Sequence, residues 1–282
     1  MPYECNRCGE THCSKHRLPE KHSCSMLDRG GVNSQIIVEA KKNNSRGSKG
    51  LGSSLESLVS SLIPEDLSRK LDGNMTKMFG GAMIIVYILQ FVALSVGGTG
   101  LHNTLFVLSP DKVHHVWTWF TSMFAHSPSS LFHIIGNGMV LYFFGTLLEK
   151  ILGTRRYVEL FLVSGLLAGL GQVGFGILIG NPVGVLGASG ALMGVLGVMT
   201  VYKPKLTVYL YFIIPMPLWL ITLAFVGFSI GGLMVSSGVV GGGIAHGAHL
   251  IGLIVGLMYG YKTQDEYDIS SKVQLIGNNR VR

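Results

Sequence analysis

Long apolar runs, separated by short polar or glycine-rich segments, dominate the chain from residue 78 onward. About 20 apolar residues, rising 1.5 Å each, cross a hydrocarbon core of roughly 30 Å as an α-helix. The pattern predicts six such helices, over residues 78–98, 131–149, 157–179, 187–202, 207–235 and 244–261. Because proline is favoured in the first turn of a helix, we expect the fifth helix to begin near Pro217. The hydropathy pattern therefore predicts an all-α polytopic membrane protein.

The chain outside these runs is polar and divides into three further regions. Residues 1–24 concentrate cysteine and histidine, and we interpret them as a small metal-binding module. Residues 25–77 are rich in Lys, Arg, Ser, Gly and Asn, a composition that cannot bury a core. We predict a linker there, with an amphipathic helix over residues 55–71 on the membrane surface. The six helices form a membrane domain over residues 78–262, and residues 263–282 form a tail.

Composition supports a membrane protein and argues against other classes. The 282 residues are 48% hydrophobic and only 13% charged, with 39 glycines, and the mean hydropathy is +0.44. The net charge of +7 comes mostly from the N-terminal quarter, two short loops and the tail. That distribution is typical of membrane topology, so we expect no nucleic-acid partner. The first residues lack an apolar core, so we expect no secretory signal peptide.

The charges of the loops predict the orientation of the helices. Basic residues precede the first helix and recur after the second, fourth and sixth, at Lys150, Arg155, Arg156, Lys203, Lys205, Lys262, Lys272, Arg280 and Arg282. The turns at 180–186 and 236–243 carry no charge. The positive-inside rule therefore predicts a multi-pass protein of the cell membrane with both termini in the cytoplasm. We expect the aromatic segment 99–130 to lie at the membrane interface on the outer side.

A few polar side chains interrupt the apolar helices near one predicted depth. They are His133 and Asn137 on the second helix, Ser189 on the fourth, and His246 and His249 on the sixth. Each lies within the first two turns of a helix that runs inward from the outer face. Ionisable groups at membrane depth are costly and mark functional sites. The sequence therefore predicts one polar pocket, reached by water from outside.

These residue types fit nucleophilic attack on a carbonyl. An imidazole accepts the hydroxyl proton of Ser189 while the serine oxygen attacks the carbonyl carbon. The carbonyl oxygen then becomes negatively charged, and this oxyanion needs hydrogen-bond donors. The backbone N–H of Ser189, the Asn137 amide and the His133 imidazole are candidates for those donors. The acids between residues 111 and 265 are Glu149 and Glu159, both near the cytosolic side. A Ser–His dyad is therefore the version of this chemistry that the sequence permits.

Other interpretations stay open on these residues alone. Ser189 and its glycine neighbours also suit close helix packing, as do Gly252, Gly256 and Gly260 at four-residue spacing. Membrane histidines also act as structural hydrogen bonders or hold a metal or haem. A second hypothesis for the whole chain is a non-enzymatic adapter, which holds membrane clients while the N-terminal module recruits a cytosolic partner. A transporter or channel is less consistent with the sequence, because the membrane region lacks a carboxylate for ion coupling and an obvious inverted repeat.

Five segments together resemble the rhomboid family of intramembrane serine proteases. They are "WTWFTSMFAH" (117–126), "HIIGN" (133–137), "GTLLEKILGTRR" (145–156), "GASG" (187–190) and "AHGAHLIGLIVG" (245–256). The resemblance covers roughly residues 78–262 and implies a six-transmembrane-helix, rhomboid-like bundle. It implies a serine endopeptidase that cuts single-pass membrane proteins in the lipid bilayer near the outer face, with no cofactor for catalysis.

The resemblance also implies roles for individual residues. Ser189 is the implied nucleophile and His249 the implied general base, with His246 as its neighbour. His133, Asn137 and Gly187, with the backbone at 188–189, form the implied oxyanion site. Two positions depart from the family pattern. Thr118 follows Trp117 where an arginine is usual, and Met193 stands where many members have an aromatic residue that stacks on the catalytic histidine.

All four cysteines lie in the first 24 residues and are interleaved with histidines. Thiolates and imidazoles so clustered favour zinc on the reducing, cytosolic side of a membrane. The segment resembles the AN-one class of zinc finger, although the first CxxC pair of that class is absent. The resemblance implies a structural zinc ion bound by Cys5, Cys8, His22 and Cys24, with Cys13 and His16 unassigned or competing for the metal. A closed four-ligand site leaves no position for chemistry, so we expect a role in binding a cytosolic protein or positioning the chain. A metal-free polar tail is the alternative.

Overall fold

The structure is a computed structural model of this chain. It describes residues 3–4, 11–12, 73–180, 183–210, 213–234 and 245–267. The N-terminal unit contributes two short strands, β1 (Tyr3–Glu4) and β2 (Thr11–His12). The strands pair antiparallel, with Tyr3 opposite His12 and Glu4 opposite Thr11. The predicted zinc ligands and the predicted amphipathic helix over 55–71 lie outside the described residues.

The second unit is predominantly helical. In chain order its helices are α1 (Met75–Phe106), α2 (Thr118–Phe124), α3 (Leu131–Val140), α4 (Thr146–Leu152), α5 (Thr154–Leu178), α6 (Ser189–Tyr202), α7 (Leu218–Met234) and α8 (His246–Thr263). A π-helical segment, Leu141–Gly145, joins α3 to α4, and 3-10 helices occupy Pro110–Lys112 and Gln264–Glu266. Every predicted apolar segment overlaps at least one of these helices.

Three helical segments of the described chain are long and apolar enough to cross a membrane. They are Met75–Phe106, Leu131–Leu152 and Thr154–Leu178. Helices α6 and α7 are apolar but shorter, at 14 and 17 residues. The fold is therefore a mostly helical membrane bundle, and the count of six spans stays a prediction.

A β-hairpin occupies the start of the predicted fifth span. Strands β3 (Thr207–Leu210) and β4 (Ile214–Pro217) pair antiparallel, with Thr207 opposite Pro217. The all-α prediction is wrong for residues 207–217, because Pro215 and Pro217 cannot continue a helix interior and β-branched residues favour strands. The expected helix start near Pro217 is confirmed, since α7 begins at Leu218.

Helix α1 extends beyond the predicted segment 78–98. It continues to Phe106 through a kink at Gly98, whose φ of 63° and ψ of −160° are non-helical. A positive φ carries no steric cost at glycine, which explains why the chain bends here without ending the helix.

Helix α6 is the buried centre of the bundle and contacts α8 through glycines. A Cβ atom added at Gly252 would lie 2.0 Å from the carbonyl oxygen of Gly190, and one added at Gly256 would lie 2.0 Å from that of Gly194. The close contact predicted from the spacing of these glycines is confirmed. The two backbones touch, which brings the first turns of α6 and α8 side by side.

Glu149, in the first turn of α4, anchors the start of α1. Its carboxylate accepts hydrogen bonds from the backbone N–H groups of Met75 and Thr76 at 2.8 and 3.0 Å, and from the hydroxyls of Thr76 and Thr154 at 2.7 and 3.2 Å. A negative charge at a helix N-terminus satisfies free N–H groups and complements the helix dipole. The buried Glu149 therefore has a structural role in joining α1, α4 and α5.

Candidate active site

Ser189 is the first residue of α6 and follows a tight backbone turn. Gly187 has a φ of 129°, a conformation that side-chain-bearing residues rarely adopt. Its N–H donates to the carbonyl of Ser122 at 2.8 Å, which ties the turn to α2. Because the first N–H groups of a helix have no intrahelical acceptor, the Ser189 N–H can donate to another group.

The structure brings Ser189 and His249 into direct contact. The Nε2 atom of His249 lies 2.8 Å from the Oγ atom of Ser189, across the α6–α8 interface. Both side chains are partly exposed. His246 is one turn earlier on α8, with its ring centroid 6.5 Å from that of His249. The arrangement pairs the serine with one histidine and leaves the other as a neighbour.

The imidazole of His249 has no carboxylate partner in the described part of the chain. Its Nδ1 atom is buried and lacks a hydrogen-bond partner there. When the Ser189 hydroxyl donates to Nε2, the ring proton resides on Nδ1. Among the residues that the structure describes, His249 therefore contacts Ser189 and has no further hydrogen-bond partner.

His133 of α3 lies beside the turn that holds Ser189. A Cβ atom added at Gly187 would be 2.9 Å from the His133 Nε2 atom and 3.6 Å from the Ser189 Oγ atom. The backbone N–H of Ser127 donates to His133 Nδ1 at 3.3 Å. Because Nδ1 accepts this bond, the neutral ring carries its proton on Nε2. His133 thus presents an N–H donor next to the serine.

Asn137 lies one helical turn after His133 and is buried. Its Nδ2 amide has no hydrogen-bond partner among the residues that the structure describes. Buried polar groups are nearly always paired, and an unpaired one requires an explanation. The buried amide of Asn137 is therefore available to donate to a bound group.

A network behind the site includes residues that sequence reasoning missed. The side chain of Gln90, fully buried on α1, accepts from the backbone N–H of His126 and donates to its carbonyl, both at 2.9 Å. Its amide nitrogen is also 2.8 Å from His102 Nε2. Gln90 is the only amide side chain in the apolar run 78–98, which is the signal that marks it.

His126 connects this network to His133. The two rings meet edge to face with centroids 5.0 Å apart. Burial, with a smaller contribution from the charge of His133, lowers the pKa of His126 to about 4. His126 is therefore neutral at physiological pH and packs against His133 as an uncharged ring.

The segment with the unusual Trp117-Thr118 pair is held by hydrogen bonds to backbone carbonyls. The hydroxyl of Thr118 donates to the carbonyl of His115 at 2.7 Å. The indole N–H of Trp117 donates to the carbonyl of Thr104 at 2.9 Å, and the hydroxyl of Thr121 to that of Leu105 at 2.6 Å. These bonds fix α2 against the end of α1 without an arginine.

The second departure, Met193, is buried on α6 one turn after Ser189. The aromatic neighbour of His249 comes instead from α7, where the ring of Phe225 lies 5.3 Å from the imidazole centroid. In the described part of the chain, no group of three or more His, Cys, Asp or Glu residues could hold a metal ion.

Comparison with known proteins agrees with this geometry. A family model described as Rhomboid domain matches residues 113–265, more than half of the chain, and one described as AN1-like Zinc finger matches residues 1–29. The chain is 32% identical over 180 residues to the Rhomboid protease GlpG of Salmonella choleraesuis (strain SC-B67), and 31% identical to that of Salmonella newport (strain SL254). Each alignment covers 62% of this chain and 59% of the relative, so the chain matches about three fifths of the length of these relatives. The chain therefore belongs to the rhomboid family.

Proposed function

We propose that this protein is an intramembrane serine endopeptidase that cleaves single-pass membrane proteins with a Ser189–His249 dyad. The observation that carries the proposal is the 2.8 Å contact between His249 Nε2 and Ser189 Oγ. Membership of the rhomboid family and similarity to proteins named rhomboid proteases support it.

The first step is acylation of Ser189. The hydroxyl gives its proton to His249 Nε2 while Oγ attacks the carbonyl carbon of the scissile peptide bond. The resulting imidazolium then gives this proton to the leaving amine nitrogen as the C–N bond breaks. In the second step, His249 takes a proton from a water molecule whose oxygen attacks the acyl carbon. The bond between this carbon and Ser189 Oγ then breaks, the proton returns to Oγ, and the other product leaves with a new carboxyl group.

Three donors serve the tetrahedral oxyanion in this proposal. They are the backbone N–H of Ser189, the Nε2–H of His133 and the amide of Asn137. The unpaired buried amide of Asn137 and the tautomer of His133 support these roles. Preorganised donors of this kind stabilise developing charge more than water does, because they need not reorient.

The membrane places the substrate relative to this site. We propose six spans in the cell membrane, cytoplasmic termini and a cut near the outer face, where a substrate helix unwinds. The partly exposed Ser189 and His249 at the first turns of α6 and α8 support water access there. The predicted inward direction of both helices supports the outer position.

The test is cleavage of a single-pass substrate by the purified full chain in detergent or liposomes. Ser189→Ala and His249→Ala should each lower kcat by about 10⁴-fold or more. Ser95→Ala, an exposed serine on α1, is the matched control and should match the parent. A fluorophosphonate should label the parent and Ser95→Ala but not Ser189→Ala.

Full cleavage by Ser189→Ala would refute this mechanism. Folded parent protein that neither cleaves nor reacts with the fluorophosphonate would favour the adapter, a protein that holds membrane clients without cutting them.

We also propose that the N-terminal finger binds structural zinc through Cys5, Cys8, His22 and Cys24. Three thiolates and one imidazole form a complete tetrahedral zinc set, and the AN1-like match over residues 1–29 supports it. Zinc bound per chain, measured by elemental analysis, should fall in Cys8→Ser. It should persist in Cys13→Ser if that residue and His16 are not ligands. In this proposal the zinc ion stabilises the fold of the finger, and the folded finger recruits a cytosolic protein partner.

A further inference from the structure

We propose that Phe225 of α7 is a positioning residue that holds the imidazole of His249 in line with Ser189. The inference rests on the proposed function and assigns to α7 a part in it. Phe225 packs on the imidazole of His249, so its proposed effect acts through that ring.

A dyad histidine lacks the third group that orients the base in a triad. In the described chain, the Nδ1 atom of His249 has no hydrogen-bond partner, and the hydrogen bond of Nε2 is with Ser189. One hydrogen bond does not fix the rotation of an imidazole about its side-chain bonds. Packing against the ring faces must therefore supply the constraint.

Phe225 is the residue placed to restrict the rotation of the His249 imidazole. Its ring centroid lies 5.3 Å from that of His249 with an interplanar angle of 51°. Aromatic pairs interact favourably at centroid distances of about 4.5–7 Å. The other aromatic neighbour of His249 in the described part of the chain is His246, with ring centroids 6.5 Å apart, and it lies on the same helix and moves with it. Phe225 is thus the neighbour from a different helix that fixes the ring.

Two contacts hold α7 in the position that Phe225 requires. One turn before Phe225, the hydroxyls of Thr222 and Thr200 lie 2.7 Å apart and join α7 to α6. Two turns after it, a Cβ atom at Gly232 would lie 2.2 Å from His246 Nε2, so α7 and α8 pack closely there. Residues 222, 225 and 232 share one face of the helix. The face that docks α7 is also the face that carries Phe225.

The consequence is that the base is aligned only while α7 is docked. A displacement of α7 removes Phe225 from His249 and frees the imidazole to rotate away from Ser189 Oγ. Loss of alignment lowers the chemical step and not substrate affinity, because the oxyanion donors and the α6–α8 contact stay in place. A misplacement of about 1 Å at a reacting group costs on the order of 100-fold in rate.

The test compares the full-length parent with Phe225→Leu, Phe225→Tyr and Phe228→Leu. Phe228→Leu is the matched control, because it removes a phenylalanine from the same helix that contacts His246 instead of His249. The measurements are kcat and KM for a single-pass substrate, the rate of fluorophosphonate labelling of Ser189, and the thermal unfolding midpoint. The labelling rate reports activation of the nucleophile without substrate binding by the membrane region.

We expect Phe225→Leu to lower kcat and the labelling rate together, by about 10- to 100-fold, with KM and the unfolding midpoint near the parent values. Phe225→Tyr, which keeps the ring, and Phe228→Leu should stay within about threefold of the parent. Labelling of Phe225→Leu at the parent rate would overturn the proposal. So would a fall in activity that Phe228→Leu shares, or one that a lower unfolding midpoint accounts for.

Ser189→Ala separates this inference from the proposed function. If Ser189→Ala cleaves like the parent, the protease mechanism itself fails. If Ser189→Ala is inactive while Phe225→Leu is fully active, the mechanism stands and only the role of Phe225 fails.

Discussion

The polar side chains around Ser189 divide their hydrogen-bonding atoms between the fold and the site. The fold uses Nδ1 of His133, through the N–H of Ser127, and this leaves the Nε2 proton beside Gly187. The Nδ2 amide of Asn137 has no hydrogen-bond acceptor among the described residues. A donor that the fold leaves unpaired has its full strength available for a substrate.

Asn137 gives the first prediction at this scale. Asn137→Ala should lower kcat by about 10²-fold while KM stays near the parent value, because an oxyanion donor acts mainly in the transition state. Asn103→Ala, in the last turn of α1 and exposed, is the amide control and should match the parent. The measurement is steady-state cleavage of a single-pass substrate. A large rise in KM with unchanged kcat would assign Asn137 to substrate binding instead.

His126 gives a prediction on pH. Its pKa is about 4 in the folded protein, below the ordinary value of 6.5, because it is buried. As the pH falls, His126 therefore takes up a proton at a higher pH in the unfolded chain than in the folded protein. The stabilising contribution is complete above pH 6.5 and is lost between pH 6.5 and about 4, on the order of 3 kcal/mol in total.

Unfolding in detergent between pH 7.5 and 4.5 checks this prediction. The free energy of unfolding of the parent should fall more steeply with acidification than that of His126→Phe, which has no proton to bind at this position. Equal slopes for the two proteins would contradict it.

At the scale of elements, the contact between α6 and α8 brings Ser189 and His249 together. Ser189 precedes Gly190 on α6, and His249 lies three residues before Gly252 on α8. The backbone contact of these two glycines leaves no room for a side chain. The separation of the helices therefore sets the distance between the serine and the histidine.

Gly252→Ala should therefore reduce both activity and stability. A methyl group 2.0 Å from the Gly190 carbonyl forces the helices apart, and we expect a loss of about 10-fold or more in kcat and a lower unfolding midpoint. Gly174→Ala on α5 is the control, since its added Cβ meets nothing within 4 Å. Parent-like kcat in Gly252→Ala would show that the dyad tolerates a wider interface.

Some elements followed from local pattern and others did not. Proline at 217 marks the start of α7 because proline cannot lie in a helix interior, and this start is read directly from the sequence. The hairpin before it was missed because residues 207–217 are apolar, and hydropathy does not distinguish a strand from a helix. The kink at Gly98 was also missed, since a positive φ at one glycine leaves no periodic signal.

At the scale of the whole molecule, sidedness follows from the loop charges and is open to direct measurement. All native cysteines lie in residues 1–24, so the membrane domain is free of cysteine. Cysteines introduced at Val183 and Lys205 therefore report on two loops that are predicted to lie on opposite sides of the membrane. In intact cells, a membrane-impermeant maleimide should label Val183→Cys on the outer side. It should label Lys205→Cys and the native cysteines only after permeabilisation.

Retained cleavage by both cysteine variants shows that each one is folded. Labelling of Lys205→Cys in intact cells, or protection of Val183→Cys, would reverse the orientation predicted by the positive-inside rule.

The sequence by itself determined the apolar segments, the glycine spacing of α8 and the small set of polar residues at one end of the helices. Hydropathy and residue spacing are local properties, so they survive without coordinates. The family resemblance already implied that His249 pairs with Ser189. Only the tertiary structure decided the 2.8 Å distance between them, that Gln90 holds the backbone of His126, and that Phe225 packs on the imidazole. These contacts join residues 36 and 60 positions apart, or lie between separate helices. Their partners are set by how the helices pack, which no local pattern encodes.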